Sequence, residues 1–237
     1  MDRKAESYTH ELVRAGKLLR EGNSLLAAKI LRKILVADGD NYEANYSLGM
    51  LHHQEGRNEL AIPLLTKAVK LRPADFAAAI NLGIIQRDEG LLAAAQINLE
   101  NAVALQPHSA KAHVTLGMLL MDRNELDAAL SEVEYGLRLE PENPITYARL
   151  GMLMQIRGEP DKAAAYYRKV IALQPLDGTA HRSLAFLQRQ TKYNDDIKKM
   201  EAAFGSGVTS DKDRILLGNA LGKAFDDLGQ YDKAFDY

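Results

Sequence analysis

The stretch Leu48-Gly49-Met50 returns along this chain at a constant distance. Its further copies follow in steps of 34 residues, as Leu82-Gly83-Ile84, Leu116-Gly117-Met118 and Leu150-Gly151-Met152. One step later, Leu184-Ala185-Phe186 keeps the spacing with alanine in place of glycine. A fixed period of this length is typical of stacked repeat proteins, in which each repeat is one supersecondary unit.

Other positions recur with the same period, and each has a physical reason. When the units are counted from residue 8, position 20 is always alanine, and position 15 is glycine or asparagine. Small residues at positions 8 and 20 let two helices approach closely, and Gly or Asn at position 15 can end a helix. Position 32 is mostly proline, which cannot continue a helix, and position 34 is Asn, Asp or Ser, which caps the next one. Each unit is therefore predicted to be a helix, a tight turn, a second helix and a connector.

This pattern resembles the tetratricopeptide repeat. The resemblance implies an all-α fold, a right-handed α-α superhelix (solenoid) of tandem helix-turn-helix repeats. Two features differ from the family pattern: position four, usually aromatic, holds Asn45, Ala79 and His113, and Pro63 lies inside a predicted second helix, which it should kink or delay. The five predicted repeats are 8–41, 42–75, 76–109, 110–143 and 144–177.

The repeat decays after residue 177. Residues 178–209 are predicted to form a degenerate repeat and a loop, and residues 210–237 a partial repeat. We expect this last repeat to be truncated, because its second helix would end after about two turns. The tail resembles the junction that joins tetratricopeptide repeats to the catalytic domain of bacterial sulfotransferases, through His181-Arg182-Ser183-Leu184-Ala185, Ser210-Asp211, Ala220-Leu221-Gly222-Lys223-Ala224 and Tyr231-Asp232. That resemblance implies a sulfotransferase as the full-length parent, with its catalytic residues beyond residue 237.

Within the chain itself, no motif indicates catalysis. The glycine-rich stretch 205–210 lacks the lysine of a phosphate-binding loop, and no Gly-x-Ser-x-Gly elbow is present. The six histidines include no His-x-x-x-His pair, and cysteine is absent. We therefore predict that this chain is not an enzyme and has no catalytic residue, cofactor or metal.

Charge and hydropathy narrow the class of partner. The net charge is −2 and no basic stripe is visible, so a nucleic-acid partner is not expected. No stretch approaches the roughly 20 apolar residues of a membrane span, and the N-terminus lacks an apolar signal core. We predict a cytoplasmic protein with no membrane association.

A surface remains as the candidate site. In the resembled family the first helices line a concave groove through positions two, five, nine and twelve, and here those positions form a stripe of Met, Ile, Val and Tyr. Packing between neighbouring first helices is the alternative explanation of the same stripe. The candidate binding residues are Tyr46, Met50, Ile80, Ile84, Arg87, Lys111, Val114, Met118, Met121, Arg149 and Met152.

These residues predict a protein–protein interaction scaffold that binds a peptide or partner protein. Flexible methionines suit an adaptable groove, and an amphipathic helix or an extended apolar peptide would fit it. Arg149 and Arg182 could meet an acidic partner. One alternative is that the solenoid forms the acceptor-recognition surface of a sulfotransferase.

A second alternative is a stand-alone adaptor or chaperone-like binder. Some family members hold the C-terminal carboxylate of chaperones with a five-residue clamp. Asn81 and Lys111 match two positions of that clamp, whereas Tyr46, Met50 and Thr115 depart from it. Self-association is a further prediction, since the segment 230–237 could pair across a dimer contact.

Overall fold

A computed structural model describes residues 2–237, with side chains from Tyr8 onward. Over this range the chain is helical and contains no strand, so the predicted all-α class of tandem helix pairs is confirmed. We call the odd-numbered helices first helices and the even-numbered ones second helices. The helices are α1 (Asp2–Arg20), α2 (Ser24–Ala37), α3 (Tyr42–Gln54), α4 (Asn58–Leu71), α5 (Phe76–Asp88), α6 (Leu92–Leu105), α7 (Ala110–Asp122), α8 (Leu126–Leu139), α9 (Pro144–Ile156), α10 (Pro160–Leu173), α11 (Gly178–Leu187), α12 (Asp195–Phe204), α13 (Asp211–Asp227) and α14 (Tyr231–Asp236).

The residues at position 15 make the tight turn inside each helix pair. Gly22, Gly56, Gly90 and Gly158 have φ values of 76°, 71°, 74° and 74°, and Asn124 has φ 61°. This left-handed conformation favours glycine and tolerates asparagine, which explains why only these two residue types occur there. The second helix then begins two residues later, for example at Ser24 and Asn58 in the first two pairs.

The residues at position 34 cap the first helices, as the sequence predicts. Asp75 accepts the amide N–H of Ala78 at 2.9 Å, and Asp177 accepts that of Ala180 at 2.8 Å. Each side chain satisfies one of the N–H groups that have no partner inside the helix. Asn41 and Asn143 make the same cap on α3 and α9. Ser109 makes a longer one, at 3.3 Å from the amide nitrogen of Ala112.

Small residues at positions 8 and 20 bring the two helices of a pair together. A Cβ atom added to Gly49 would lie 2.8 Å from Cγ of Leu65, and one added to Gly83 would lie 2.6 Å from Cδ2 of Leu99. The position-20 alanines, such as Ala61, are completely buried. The Leu-Gly ladder is therefore a packing device that positions the helices and leaves the binding chemistry to other residues.

Polar residues at position four have a role that the sequence did not reveal. Asn45 donates its side-chain N–H to the carbonyl of Gly39 at 3.0 Å. His113 and His181 donate from Nε2 to the carbonyls of Pro107 and Pro175, each at 2.9 Å. In each case the acceptor lies at position 32, six residues earlier, in the connector between two helix pairs. These hydrogen bonds explain why polar residues occur at a position that is usually aromatic in the family pattern.

Pro63 does not delay the start of its helix, and the alternative that it kinks the helix stays a prediction. The second helix α4 begins at Asn58, which is 34 residues after the start of α2 at Ser24. The predicted delay is therefore wrong. The helix runs through Pro63 to Leu71, because the helix pair buries the neighbouring side chains of Ala61 and Leu65 on its inner face.

The chain divides into two compact units, residues up to Leu119 and residues from Leu120 onward, and the boundary falls within α7. In the first unit, one core cluster consists of Ala61, Leu65, Leu82 and Ile85 from two successive helix pairs. In the second unit, the tail residues Ile197, Met200, Leu217, Leu221 and Phe225 belong to one buried cluster. The repeat boundaries themselves stay a prediction.

The tail keeps the helix-pair pattern with altered connections. A Cβ atom on Gly178 would lie 2.5 Å from the backbone oxygen of Asp213, so the start of α11 lies directly against the first turn of α13. The backbone N–H of Gly178 also donates to Asp213 Oδ1 at 3.1 Å. Farther along, the backbone N–H of Gln190 donates to Asp227 Oδ2 at 2.7 Å and fixes the extended turn that replaces the usual tight one.

Candidate functional site

In the first unit, Tyr46 and Met50 lie on α3, half-buried against the core cluster of Ala61, Leu65, Leu82 and Ile85. The Tyr46 hydroxyl accepts a hydrogen bond from Asn81 Nδ2 at 2.8 Å, which links α3 to α5. The ring of Tyr42 stacks on that of Tyr46, with centroids 5.9 Å apart. Tyr46 is thus held in place while its hydroxyl proton remains available to a ligand.

The predicted stripe is divided between core and surface. Ile80 and Val114 are buried, so the packing alternative describes these two positions. Ile84 and Met118 are half-buried and lie at position nine, as Met50 does. Lys111 is exposed, and the Arg87 guanidinium donates to Asp88 at 2.7 Å. In the first unit the accessible part of the stripe therefore consists of the position-nine side chains and their polar neighbours.

A chain of hydrogen bonds orients His53, at position twelve of the same surface. Asn58 Nδ2 donates to Glu89 Oε1 at 2.7 Å, so its Oδ1 is the acceptor for His53 Nδ1, at 2.8 Å. Because Nδ1 then carries the proton, Nε2 of the neutral ring is a hydrogen-bond acceptor. Next to Met50 and Tyr46, this gives the first unit a place for a backbone or side-chain N–H of a ligand.

In the second unit, α9 exposes three apolar side chains on one side. Ile145, Met152 and Ile156 have exposed fractions of 61%, 41% and 52%. Their spacing of seven and four residues places all three on one side of the helix. The predicted residue Arg149 lies between them in the same register and is half-buried. Met121, at the end of α7, is also half-buried.

Sequence reasoning missed three exposed apolar residues of the second unit: Ile145, Ile156 and Phe186. Ile145 occupies position two, which belongs to the groove pattern and would have identified it. Phe186 occupies position nine of the repeat after residue 177, where the pattern had been treated as decayed. The persistence of Leu184-Ala185 in register was the signal that could have found it.

The perturbed ionisable groups have structural partners. Burial and a 2.7 Å hydrogen bond to Asp75 raise the pKa of Tyr42. Burial raises the pKa of Asp75, but the hydrogen bonds from Tyr42 and from the α5 backbone outweigh it, so that the pKa of Asp75 is lowered overall. Both groups belong to the α5 cap. Among the described residues, no group of three His, Asp or Glu side chains could hold a metal ion, and no helix is long and apolar enough to span a membrane.

Comparison with known families identifies the repeat. The tetratricopeptide repeat pattern matches residues 14–76, 54–97 and 80–144, and a second pattern of the same description matches residues 145–175. The chain belongs to the tetratricopeptide repeat family. Tetratricopeptide repeats build extended surfaces that bind other proteins, so the general class of this chain is a protein-interaction scaffold.

Solved tetratricopeptide structures show the same fold. MamA is 27% identical over 68% of this chain and 94% of its own, with a TM-score of 0.62. MamA from Desulfovibrio magneticus RS-1, from residue 41 to its end, is 25% identical over 73% of this chain and 97% of its own, with a TM-score of 0.66. PilW, a type IV pilus biogenesis factor, is 15% identical over 94% of this chain and 97% of its own, with a TM-score of 0.69. No curated protein matches the chain.

Proposed function

We propose that this tetratricopeptide protein holds a peptide segment of a partner protein on the exposed faces of its first helices. The observation that carries the proposal is the apolar face of α9, where Ile145, Met152 and Ile156 are exposed on one side. A soluble protein exposes single apolar residues routinely, whereas several exposed apolar side chains on one side of a helix are typical of an interaction site. Packing within the helix pair does not use this face, since α9 buries Leu150 and Leu153 instead.

The side chains on these faces favour an adaptable mode of binding. Met50 and Met152 occupy position nine in their units, and an unbranched thioether adjusts to different apolar ligands at little cost. The Tyr46 hydroxyl and His53 Nε2 add a hydrogen-bond donor and an acceptor in the first unit. This combination supports an amphipathic helix or an extended apolar peptide as the ligand.

Affinity capture with matched variants tests the proposal. Met152→Lys places a charge on the first-helix face, and Leu173→Lys places the same charge on the second helix α10 at a side chain of equal exposure, 40% against 41%. We expect wild type and Leu173→Lys to capture the same protein from a lysate of the source organism, and Met152→Lys to lose it. Met50→Lys and Ile84→Lys test the first unit in the same way.

Circular dichroism establishes that each variant is folded before capture is scored. Retention of the partner by Met152→Lys, Met50→Lys and Ile84→Lys would contradict the proposal. So would equal loss of the partner by Leu173→Lys, because the effect would then not depend on the first-helix face. Loss of helicity in the first-helix variants alone would favour core packing as the role of these residues.

The link to a sulfotransferase is a finer proposal and rests on the sequence of the tail alone. The family matches end at residue 175, and the solved structures named above carry no such description. In this proposal the repeats would recognise the acceptor protein of a downstream catalytic domain. A glycine-rich Arg-Ser-Gly-Thr loop after a strand in the gene beyond residue 237 would support it, and a stop codon directly after that residue would exclude it.

A cytoplasmic location, self-association and the lack of nucleic-acid or membrane partners also remain sequence-based proposals. A fluorescent fusion tests the location, and analytical ultracentrifugation over a range of concentrations tests the self-association. An electrophoretic mobility shift assay tests for nucleic-acid binding, and vesicle sedimentation tests for membrane binding.

A further inference from the structure

Phe186 lies on α11 with its ring half in solvent. Leu184, two residues earlier on the same helix, is buried. The ring is 52% exposed, and two cations lie over it. Cζ of Arg182 is 5.2 Å from the ring centroid, and Nζ of Lys223, from α13, is 5.9 Å from it. Both distances are within the range of cation–π attraction, so the two cations flank an accessible aromatic surface.

The segment that contains Phe186 carries only positive side chains. From Gly178 to Lys192 the chain has Arg182, Arg189 and Lys192 but no aspartate or glutamate, although its overall charge is −2. On the facing part of α13, Asp227 pairs with Lys223 and accepts the backbone N–H of Gln190. Asp226 is exposed at the end of the same helix. At the ring itself Lys223 is paired with Asp227, so the excess positive charge there comes from Arg182, while Asp161 of α10 accepts the side-chain N–H of Gln188, two residues after Phe186.

Lys223 is held in this arrangement from both helices. Its Nζ donates to the backbone oxygen of Gln188 at 3.0 Å, and it pairs with Asp227 four residues later on α13. Arg182 is exposed and lies one turn before Phe186 on the same side of α11. Arg189 lies beyond the end of α11, in the extended turn that follows it. The aromatic ring and Arg182 therefore lie on one face of α11, with Lys223 at its edge.

We infer that this face of α11 and α13 binds an acidic peptide segment that packs one apolar side chain on Phe186. The carboxylates of such a segment complement Arg182, and its apolar side chain covers the exposed ring. Phe186 occupies position nine, the register of Met152 on α9, so the inference specifies the partner chemistry of the binding face and rests on the proposed function.

A single-stranded nucleic acid is the other polyanion that could meet an aromatic ring between cations. The neighbouring first helices argue for a peptide, because their exposed side chains are the aliphatic Met152 on α9 and Ile215 on α13. Such side chains contact apolar peptide groups well but offer no ring on which successive bases could stack. A short oligodeoxythymidine serves as the test of this distinction.

Fluorescence anisotropy with a synthetic probe tests the inference. The probe is a fluorescein-labelled nonapeptide with one central phenylalanine between aspartates and glutamates. We expect saturable binding to the full chain that weakens with added salt, and about tenfold weaker binding for Phe186→Ala and for Arg182→Gln. The matched controls are Phe235→Ala, which removes an exposed ring from α14, and Arg138→Gln, which removes an arginine that lies 5.1 Å from the Tyr135 ring on α8. Both controls should bind as wild type does.

Four results would overturn the inference. The first two are a lack of saturation at about 1 mM peptide, and equal affinity for a peptide in which asparagine and glutamine replace the acidic residues. The other two are equal losses of affinity in the control variants, and tighter binding of oligodeoxythymidine than of the peptide.

The experiment is separate from the capture experiment. If the probe fails but Met152→Lys still releases the captured partner, only the acidic chemistry is wrong. If the probe binds but Met152→Lys, Met50→Lys and Ile84→Lys all retain that partner, the first-helix proposal fails by itself.

Discussion

At position four, asparagine and histidine side chains make the same hydrogen bond. Asn45, His113 and His181 each donate to the connector carbonyl six residues earlier. All three side chains are buried, where a polar group without a partner is costly, and each reaches the carbonyl with an N–H group. The difference between the two residue types is that only histidine titrates near neutral pH.

His181 should make the stability of the second unit dependent on pH. Burial lowers the pKa of His181, opposed by its hydrogen bond to Pro175, so the unfolded chain takes up a proton near pH 6.5 that the folded chain accepts only at lower pH. Stability is then fully present above about pH 6.5 and decreases as the pH falls below it. His181→Asn keeps the donor and removes the titration, as Asn45 shows. We expect the urea midpoint of wild type to fall relative to that of His181→Asn between about pH 6.5 and pH 5, and parallel curves there would contradict this account.

Gly83 tests whether the Leu-Gly ladder is required for packing. A Cβ atom there would lie 2.6 Å from Leu99, whereas one on Gly16 in α1 would meet only the end of Arg20, at 3.8 Å. Overpacking lowers the free energy of unfolding by about 1–3 kcal/mol, and the preference of a helix for alanine over glycine raises it by about 1 kcal/mol. In urea denaturation, the free energy of unfolding should fall by up to about 2 kcal/mol for Gly83→Ala and rise by up to about 1 kcal/mol for Gly16→Ala. Equal stabilities of the two variants would refute the packing role.

At the scale of the helix, most of the structure was predictable from the sequence. Asp75 and Gly56 occur at fixed positions, and their chemistry determines where α5 begins and where α3 ends. The hydrogen bond of His181 was not predictable, because its acceptor is a backbone carbonyl that the sequence pattern does not show. The undisturbed start of α4 was not predictable either. The helix propensity of proline is measured without tertiary packing, whereas packing buries Ala61 and Leu65 in this helix.

Pro63 gives a prediction for a single helix. It lies inside α4 and has an exposed side chain, so it removes one backbone hydrogen bond without contributing to the core. Pro63→Ala should restore that bond and increase the free energy of unfolding by as much as about 3 kcal/mol. Thermal and urea denaturation measure the change, with Thr66→Ala, a half-buried position in the same helix, as the control for substitution by alanine. An unchanged or lower stability would show that the proline is accommodated without cost.

For the whole molecule, the repeat register predicted the side of each first helix but not the burial of its side chains. The register assigned Ile80, Val114 and Met152 to one stripe, but depth depends on neighbouring helices, and only Met152 of these three is exposed. Phe186 was missed for the opposite reason, because its helix belongs to a part of the chain where other repeat positions are lost. Register specifies the side of a helix, and burial must come from the structure.

The central claim is that partners bind to the first-helix faces while second helices and core residues stabilise the fold. Methyl NMR of methionine-labelled protein, titrated with the partner captured on wild type, tests this claim most directly. Met152 is exposed on α9, Met154 is buried two residues later in the same helix, and Met200 is buried in the tail. We predict that the Met152 signal shifts or broadens on titration while those of Met154 and Met200 stay in place. A partner that perturbs Met154 and Met200 but leaves Met152 unchanged would contradict the claim.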